Sequence, residues 1–301
     1  MRKYWLLLSL FTLAAQMAAL LPSAEYERRP EMFALIYRPL EVTAADGSPV
    51  ACWFFPAQPM PTREAILAAQ GEGVQPAYTP SAEPAPTIVV ANGDAGNMGN
   101  QINFVVGFCP LGYNVALFDW RGFGASGAWS TDRDRLAYTE YLLDYAAVLN
   151  SVFARPEVDT TRVAVYGGST GAYLSLAAAS RDPRVSVCVL RALLTRFDDV
   201  LPILHAAKPD RDIKAPRGYP PELEPLALAP GFTRPVLLIV GENDEVTPLW
   251  MSEELLAAFA GPKELWVVHG ATHGGAEGPV YSDFDRFTQR VDAFLRQTWQ
   301  K

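Results

Sequence analysis

Five residues, Gly167-Gly168-Ser169-Thr170-Gly171, carry the strongest chemical signal in the chain. They follow an apolar run, RVAVYG (162–167), and open a run of small and apolar residues, TGAYLSLAAAS (170–180). A serine hydroxyl reacts as a nucleophile only where a base takes its proton. It must also be lifted above its neighbours by a sharp strand-to-helix turn, with small residues two before and two after it so that strand and helix pass closely. Gly-x-Ser-x-Gly alone is a weak pattern, and its competing reading is a glycine-rich turn with no chemistry. The strand–turn–helix setting favours Ser169 as a nucleophile.

The base is sought among three histidines. His273 lies in the loop HGATHGG, after the last β-rich run, and follows Ser169 and the best acid in the chain. Serine, acid, histidine is the order expected after such a turn. His269 ends the β-rich run itself and reads as a partly buried structural residue, while His205 lies in a proline-rich stretch. His273 is therefore expected to be the base. A base of this kind needs a carboxylate that holds its tautomer and stabilises its cation. Asp244 stands in GENDEVTP, three residues past Gly241 and between Glu242 and Glu245. Loop acids are usually solvated, so its place at the carboxyl edge of a strand decides for Asp244.

The tetrahedral intermediate carries an oxyanion that needs N–H donors. The backbone N–H of Thr170, next after the nucleophile, is one. The other is expected from Asp94, directly after Asn92-Gly93. The Asp94 carboxylate is expected to point away and bond the loop's own backbone, as aspartate does in such turns.

These residues need a frame. TIVVANG (87–93), NVALFDW (114–120), RVAVYG (162–167), VSVCVL (185–190), PVLLIVG (235–241) and ELWVVHG (264–270) read as strands. Between them lie helical patterns: around Gln101 to Cys109, after Thr131 with Tyr138, Tyr141, Leu142, Tyr145, Leu149 and Val152 on one face, and over 170–180 and 249–259. Phe284, Phe287, Val291 and Phe294 mark a C-terminal helix. Alternating strands and helices predict a mostly parallel, doubly wound sheet flanked by helices. Runs such as VLLIV lack period-two alternation, as strands covered on both faces do. Ligands bind outside the carboxyl ends of such strands, where Asp94, Ser169, Asp244 and His273 all fall. Asp46-Gly47 marks a hairpin between two β-rich runs. Residues 56–86 read as a surface loop, and the proline-rich stretch from about 195 to 234 reads as a short irregular lid without long helices.

The chain has 301 residues, half of them apolar, enough for one large α/β domain. Its net charge of −8 argues against nucleic acid as a partner. Cys52, Cys109 and Cys188 are far apart and show no metal-ligand spacing, so neither a metal site nor a disulfide framework is expected. At the N-terminus, Arg2 and Lys3 precede an apolar run from Tyr4 to Leu21. Such a start reads as a cleaved export signal ending near Ala24 or as an uncleaved membrane anchor. Either places the body across the cytoplasmic membrane, with membrane association through residues 4–21 if the run is kept.

ANGDAGNMGN, FDWRGFGASG, GGSTG, GENDEVTP and GATHG occur in the order found in α/β hydrolases. The sequence resembles the abhydrolase-type serine hydrolases whose oxyanion loop reads His-Gly-Asn-Ala-Gly-Asn, over roughly residues 40 to 299. That resemblance implies the α/β-hydrolase fold, no cofactor, and triad roles for Ser169, Asp244 and His273. It makes Asp119, Arg121 and Gly122 part of a mainly structural turn. Here Asn92-Gly93-Asp94 replaces the family's His-Gly-Asn. The expected organisation is a signal peptide or anchor over 1–24 and an α/β-hydrolase domain over 32–301. The expected activity is cleavage of an ester or thioester of a small-molecule or lipid-like acyl group. A peptidase or amidase is the alternative, and a non-catalytic binding protein is a third reading that fold alone leaves open.

Overall fold

A computed structural model describes residues 19–78 and 83–300. In chain order its elements are β1 (Leu21–Pro22), β2 (Arg38–Thr43), β3 (Pro49–Phe55), α1 (Arg63–Glu72), β4 (Ala85–Ala91), β5 (Ala95–Gly96), α2 (Ile102–Phe108), β6 (Asn114–Phe118), α3 (Tyr141–Phe153) and β7 (Val158–Gly168). Then follow α4 (Thr170–Arg181), β8 (Val187–Arg191), α5 (Phe197–Ala207), α6 (Pro225–Leu228), β9 (Val236–Gly241), α7 (Leu249–Ala258), β10 (Lys263–Val268) and α8 (Phe284–Trp299). Eight strands form one sheet in the order β10-β9-β8-β7-β4-β6-β3-β2. The pairs from β10 to β6 are parallel, and β3 and β2 close the edge antiparallel.

The apolar runs become strands because both sheet faces are covered. Successive side chains point to opposite faces, so Val89, Val165, Cys188 and Leu238 join one buried cluster. Their neighbours Ile88, Val90, Ala164, Val189 and Leu237 join the other. α3, α4 and α7 cover the first face through residues such as Tyr145, Leu176 and Leu255. α2 and α8 cover the second through Phe104, Phe108, Phe287, Val291 and Phe294. Each large side chain so buried contributes about 1.5–3 kcal/mol. The Asp46-Gly47 hairpin forms as read: Gly47 has φ of 86°, and Thr43 pairs with Pro49 across the turn.

Three expectations need correction. The expected loop over 56–86 contains α1: Thr62 caps it by accepting the Ala65 N–H, and Gly73 ends it at φ 68°. Its prolines fall outside an alanine-rich stretch of good helix formers, and that stretch folds. The expected irregular lid contains α5, although Pro202 lies inside it. Proline removes one helix bond there, but Phe197, Val200 and Leu204 are buried on one face, and the Glu224 carboxylate accepts the N–H of Phe197 at the helix start. Finally, the body begins well before residue 32. The apolar run through residue 18 lies outside the described residues, but Ala19 and Leu20 are buried in the core, and β1 pairs with β5. Among the described residues no helix is long and apolar enough to cross a membrane.

Candidate active site

Ser169 sits between β7 and α4 with φ 53° and ψ −117°. A side-chain-bearing residue in that conformation stores about 1–3 kcal/mol of strain, which the surrounding fold must hold. The cause is crowding. A Cβ on Gly167 would stand 2.0 Å from the carbonyl oxygen of Gly171, and one on Gly171 would stand 2.7 Å from the carbonyl oxygens of Ala91 and Asn92. Both positions therefore require glycine if strand, turn and helix are to pass this closely. The Ser169 N–H is used internally, donating to the carbonyl of Arg191 at 2.9 Å.

The hydroxyl of Ser169 lies 3.1 Å from Nε2 of His273. Nδ1 of the same ring lies 2.9 and 3.0 Å from the two carboxylate oxygens of Asp244. The structure thus brings together all three residues read from the sequence. Asp244 has a fully buried side chain, while that of His273 is 19% exposed. Burial works to raise the Asp244 acid, but the hydrogen bond and charge of His273, with the N–H groups of Val246 and Thr247, hold it below the usual carboxylate range. Asp244 is therefore an anion at neutral pH, as an orienting acid requires.

Of the other histidines, His269 departs from expectation. Its side chain is 90% exposed and its Nδ1 pairs with Glu242 at 2.6 Å. β10 is the edge strand, so a residue just past its end has no neighbour on one side. His205 lies on α5, with Nε2 2.7 Å from the carbonyl of Ile213.

Two positioning contacts were not read from the sequence. The Thr247 hydroxyl donates to Asp244 at 3.0 Å, and its N–H donates to the same carboxylate at 2.8 Å. Its signal was a hydroxyl residue three positions after the acid. Arg191, at the end of β8, donates from its guanidinium to the carbonyl of His273. A charge closing the apolar run VSVCVL at the sheet's carboxyl edge was the cue.

The loop after β4 approaches the elbow: a Cβ on Gly93 would lie 3.5 Å from the Gly168 carbonyl oxygen. Thr170 opens α4, so its N–H is one of the donors with no partner inside the helix. The Asp94 carboxylate bonds its own N–H, as such a turn allows. Burial raises its acid, and the charges of His273, Lys208 and Arg191 oppose the rise. Behind the loop, Asn92 donates to Ala95 and accepts from Gln101, and Trp120 donates to the Asn92 carbonyl.

Asp119 and Arg121 have structural partners. Asp119 accepts the Met98 N–H and the Tyr26 hydroxyl. Arg121 pairs with Asp144 and Asp46. Among the described residues, no group of three or more His, Cys, Asp or Glu has the arrangement of a metal site.

A sequence model of the alpha/beta hydrolase fold family matches residues 86–213. An uncharacterized protein of Mycobacterium tuberculosis is 31% identical over 192 residues, 64% of this chain and 64% of its own length. The chain therefore spans slightly under two-thirds of that relative. Among solved structures, the Pyrococcus furiosus esterase Pf2001 superposes with a TM-score of 0.70 at 18% identity, covering 93% of this chain and 98% of its own. A Mycobacterium tuberculosis puromycin-hydrolyzing peptidase superposes at 0.64 with 22% identity, covering 92% of this chain and 40% of its own.

Proposed function

We propose that this chain, which has the α/β-hydrolase fold, is a serine hydrolase that cleaves a carboxylic ester or thioester through an acyl-enzyme on Ser169. One observation carries the reading: an unbroken line of hydrogen-bond distances from the Ser169 hydroxyl, through both ring nitrogens of His273, to the Asp244 carboxylate.

In this mechanism Ser169 Oγ attacks the acyl carbon while Nε2 of His273 takes its proton. The carbonyl oxygen becomes an oxyanion and meets the N–H groups of Thr170 and Asp94. The imidazolium gives its proton to the leaving alkoxide or thiolate, and the acyl group stays on Oγ. A water then loses a proton to Nε2 and attacks the acyl carbon. The acid leaves as Oγ recovers its proton. Asp244 remains ionised throughout and stabilises the imidazolium. Every proton is handled by these residues, so the reading calls for no cofactor.

The test is turnover of a panel of p-nitrophenyl esters of increasing acyl length, set against aminoacyl amides. Ester turnover that disappears in Ser169→Ala is expected. Turnover unchanged in that variant would overturn the assignment. The peptidase likeness favours a second reading, in which an amine leaves and receives the same proton from His273. Faster cleavage of the amides would establish it. Substrates are proposed to be small or lipid-like acyl compounds, with nucleic acid excluded by the acidic charge. Export of the body through the apolar N-terminal run belongs to the same proposal. Cell fractionation tests it, and a soluble cytoplasmic protein would refute it.

A further inference from the structure

The oxyanion loop is held by a stretch of chain that the sequence offers as the end of a leader. Residues 19–26 run along its outer side. The N–H of Leu21 donates to the Asp94 carbonyl at 2.8 Å, and that of Ser23 donates to the Gly96 carbonyl at 2.9 Å. Asn97, a buried residue of the same loop, donates its side-chain amide to the carbonyls of Ser23 and Glu25 at 3.2 and 2.7 Å. The Tyr26 hydroxyl binds the Asp119 carboxylate, whose other oxygen accepts the Met98 N–H at 2.6 Å. A Cβ on Gly99 would meet the Arg28 carbonyl oxygen at 2.5 Å, so the two segments lie in contact along this length. The stretch is anchored in turn: Leu20 is fully buried, and Ala19 donates to the Arg133 carbonyl at 2.6 Å.

This placement is selective. The eight-stranded sheet excludes β1, which pairs only with β5, the two residues that follow Asp94. Besides its anchor on the Arg133 carbonyl, the stretch bonds residues 94–97, Asp119 and the turn at 124–125, where Gly124 donates to the Ser23 carbonyl and Ala125 to the Tyr26 hydroxyl. An oxyanion donor works through preorganisation, because its dipole must already point where charge develops. Fixing the carbonyl of Asp94 restricts the peptide groups on both sides of that residue, including the one that bears its N–H. Without β1, residues 94–96 would be a glycine-containing loop with free backbone groups on their outer side.

We propose that residues 19–26 are a retained brace that positions the oxyanion loop, and that the mature chain keeps them. A leader removed after Ala24 would take Leu21 and Ser23 with it. The proposal rests on the serine-hydrolase reading above, with Leu21 and Tyr26 as positioning residues.

The experiment uses the full chain with a p-nitrophenyl ester and three variants. Leu21→Pro removes the N–H that binds Asp94, Leu21→Val keeps it, and Tyr26→Phe removes the hydroxyl that ties the brace to Asp119. Leu21→Pro is expected to lower kcat about 10-fold with KM changed less than about 2-fold, a part of the ~10²–10³ lost when an oxyanion donor is removed outright. Tyr26→Phe is expected to act in the same direction, and Leu21→Val is expected to restore kcat. Rates are read on folded protein well below each melting temperature, so a merely structural role would leave kcat unmoved. An unchanged kcat in both Leu21→Pro and Tyr26→Phe overturns the brace. Should Leu21→Pro fail to fold, Tyr26→Phe decides. Sequencing the N-terminus of the active protein gives an independent answer, since a mature chain starting at Glu25 also overturns the proposal. Ester turnover that survives Ser169→Ala would instead sink the hydrolase reading, which keeps the two failures distinct.

Discussion

The Nε2 of His273 stands 3.1 Å from the hydroxyl of Ser169, a residue 104 positions earlier in the chain. Asp244 holds the far side of the ring, so the imidazole is tied at both nitrogens before any substrate arrives. Ser169→Ala should therefore lower kcat by about 10⁴–10⁶-fold, as for triads that act as a unit. The melting temperature should hold or rise, because alanine keeps the elbow and loses only the hydroxyl. Fluorophosphonate labelling that persists in this variant would show that another residue is the nucleophile.

His273→Ala should be nearly as damaging, since Ser169 then has no base. His269→Ala should change kcat less than about 2-fold, because that ring is exposed and its pair with Glu242 is of the surface kind, worth about 0–1 kcal/mol. Kinetics in the reverse order would refute the choice of base.

Thr247→Ala removes the hydroxyl donor to Asp244 and leaves the two backbone donors in place. One such hydrogen bond to a charged group is worth about 1.5–3 kcal/mol, and only part of that bears on the orientation of His273. A fall in kcat of about 3–10-fold is expected, with recovery in Thr247→Ser. A Thr247→Ala enzyme at full rate would mean that the backbone donors hold the carboxylate unaided.

Asp94→Asn tests the residue at which the oxyanion loop departs from its resemblance. The carboxylate lies within reach of the His273 charge and binds the same N–H that the mechanism needs. Removing its charge takes a repulsive interaction away from the developing oxyanion and should raise kcat/KM for a neutral ester several-fold at pH 7. A large fall would mean that the carboxylate itself takes part in the reaction.

Burial pushes the Asp119 acid up to about 6, against hydrogen bonds from Tyr26, Met98 and Ala125 that favour its anion. The folded protein then holds a proton that the unfolded chain has already lost between about pH 4 and pH 6. Stability should decline as pH rises through that window and level off above it, with a total effect of at most about 3 kcal/mol. Asp119→Asn should flatten this part of the curve of urea midpoint against pH. An identical slope in the variant would assign the effect to another group.

The grouping of Ser169, Asp244 and His273 was legible in the sequence because each part is local. Ser169 needs only its flanking glycines and the runs on either side, and Asp244 and His273 need only their distance past the end of a strand. The covered strands were equally plain, since runs without alternation leave no polar face. What the sequence did not disclose depends on pairing between distant segments. Pro202 argued against a helix, yet α5 forms, because burial of Phe197, Val200 and Leu204 outweighs one lost hydrogen bond. His269 looked half-buried until its strand took the sheet edge, and Arg191 acquired its role when the His273 loop folded over the end of β8. The apolar character of residues 19–22 suggested a leader, and only the fold gives Leu21 the Asp94 carbonyl as its partner. Backbone donors and acceptors are the same at every residue, so no residue type announces which distant strand its N–H will meet.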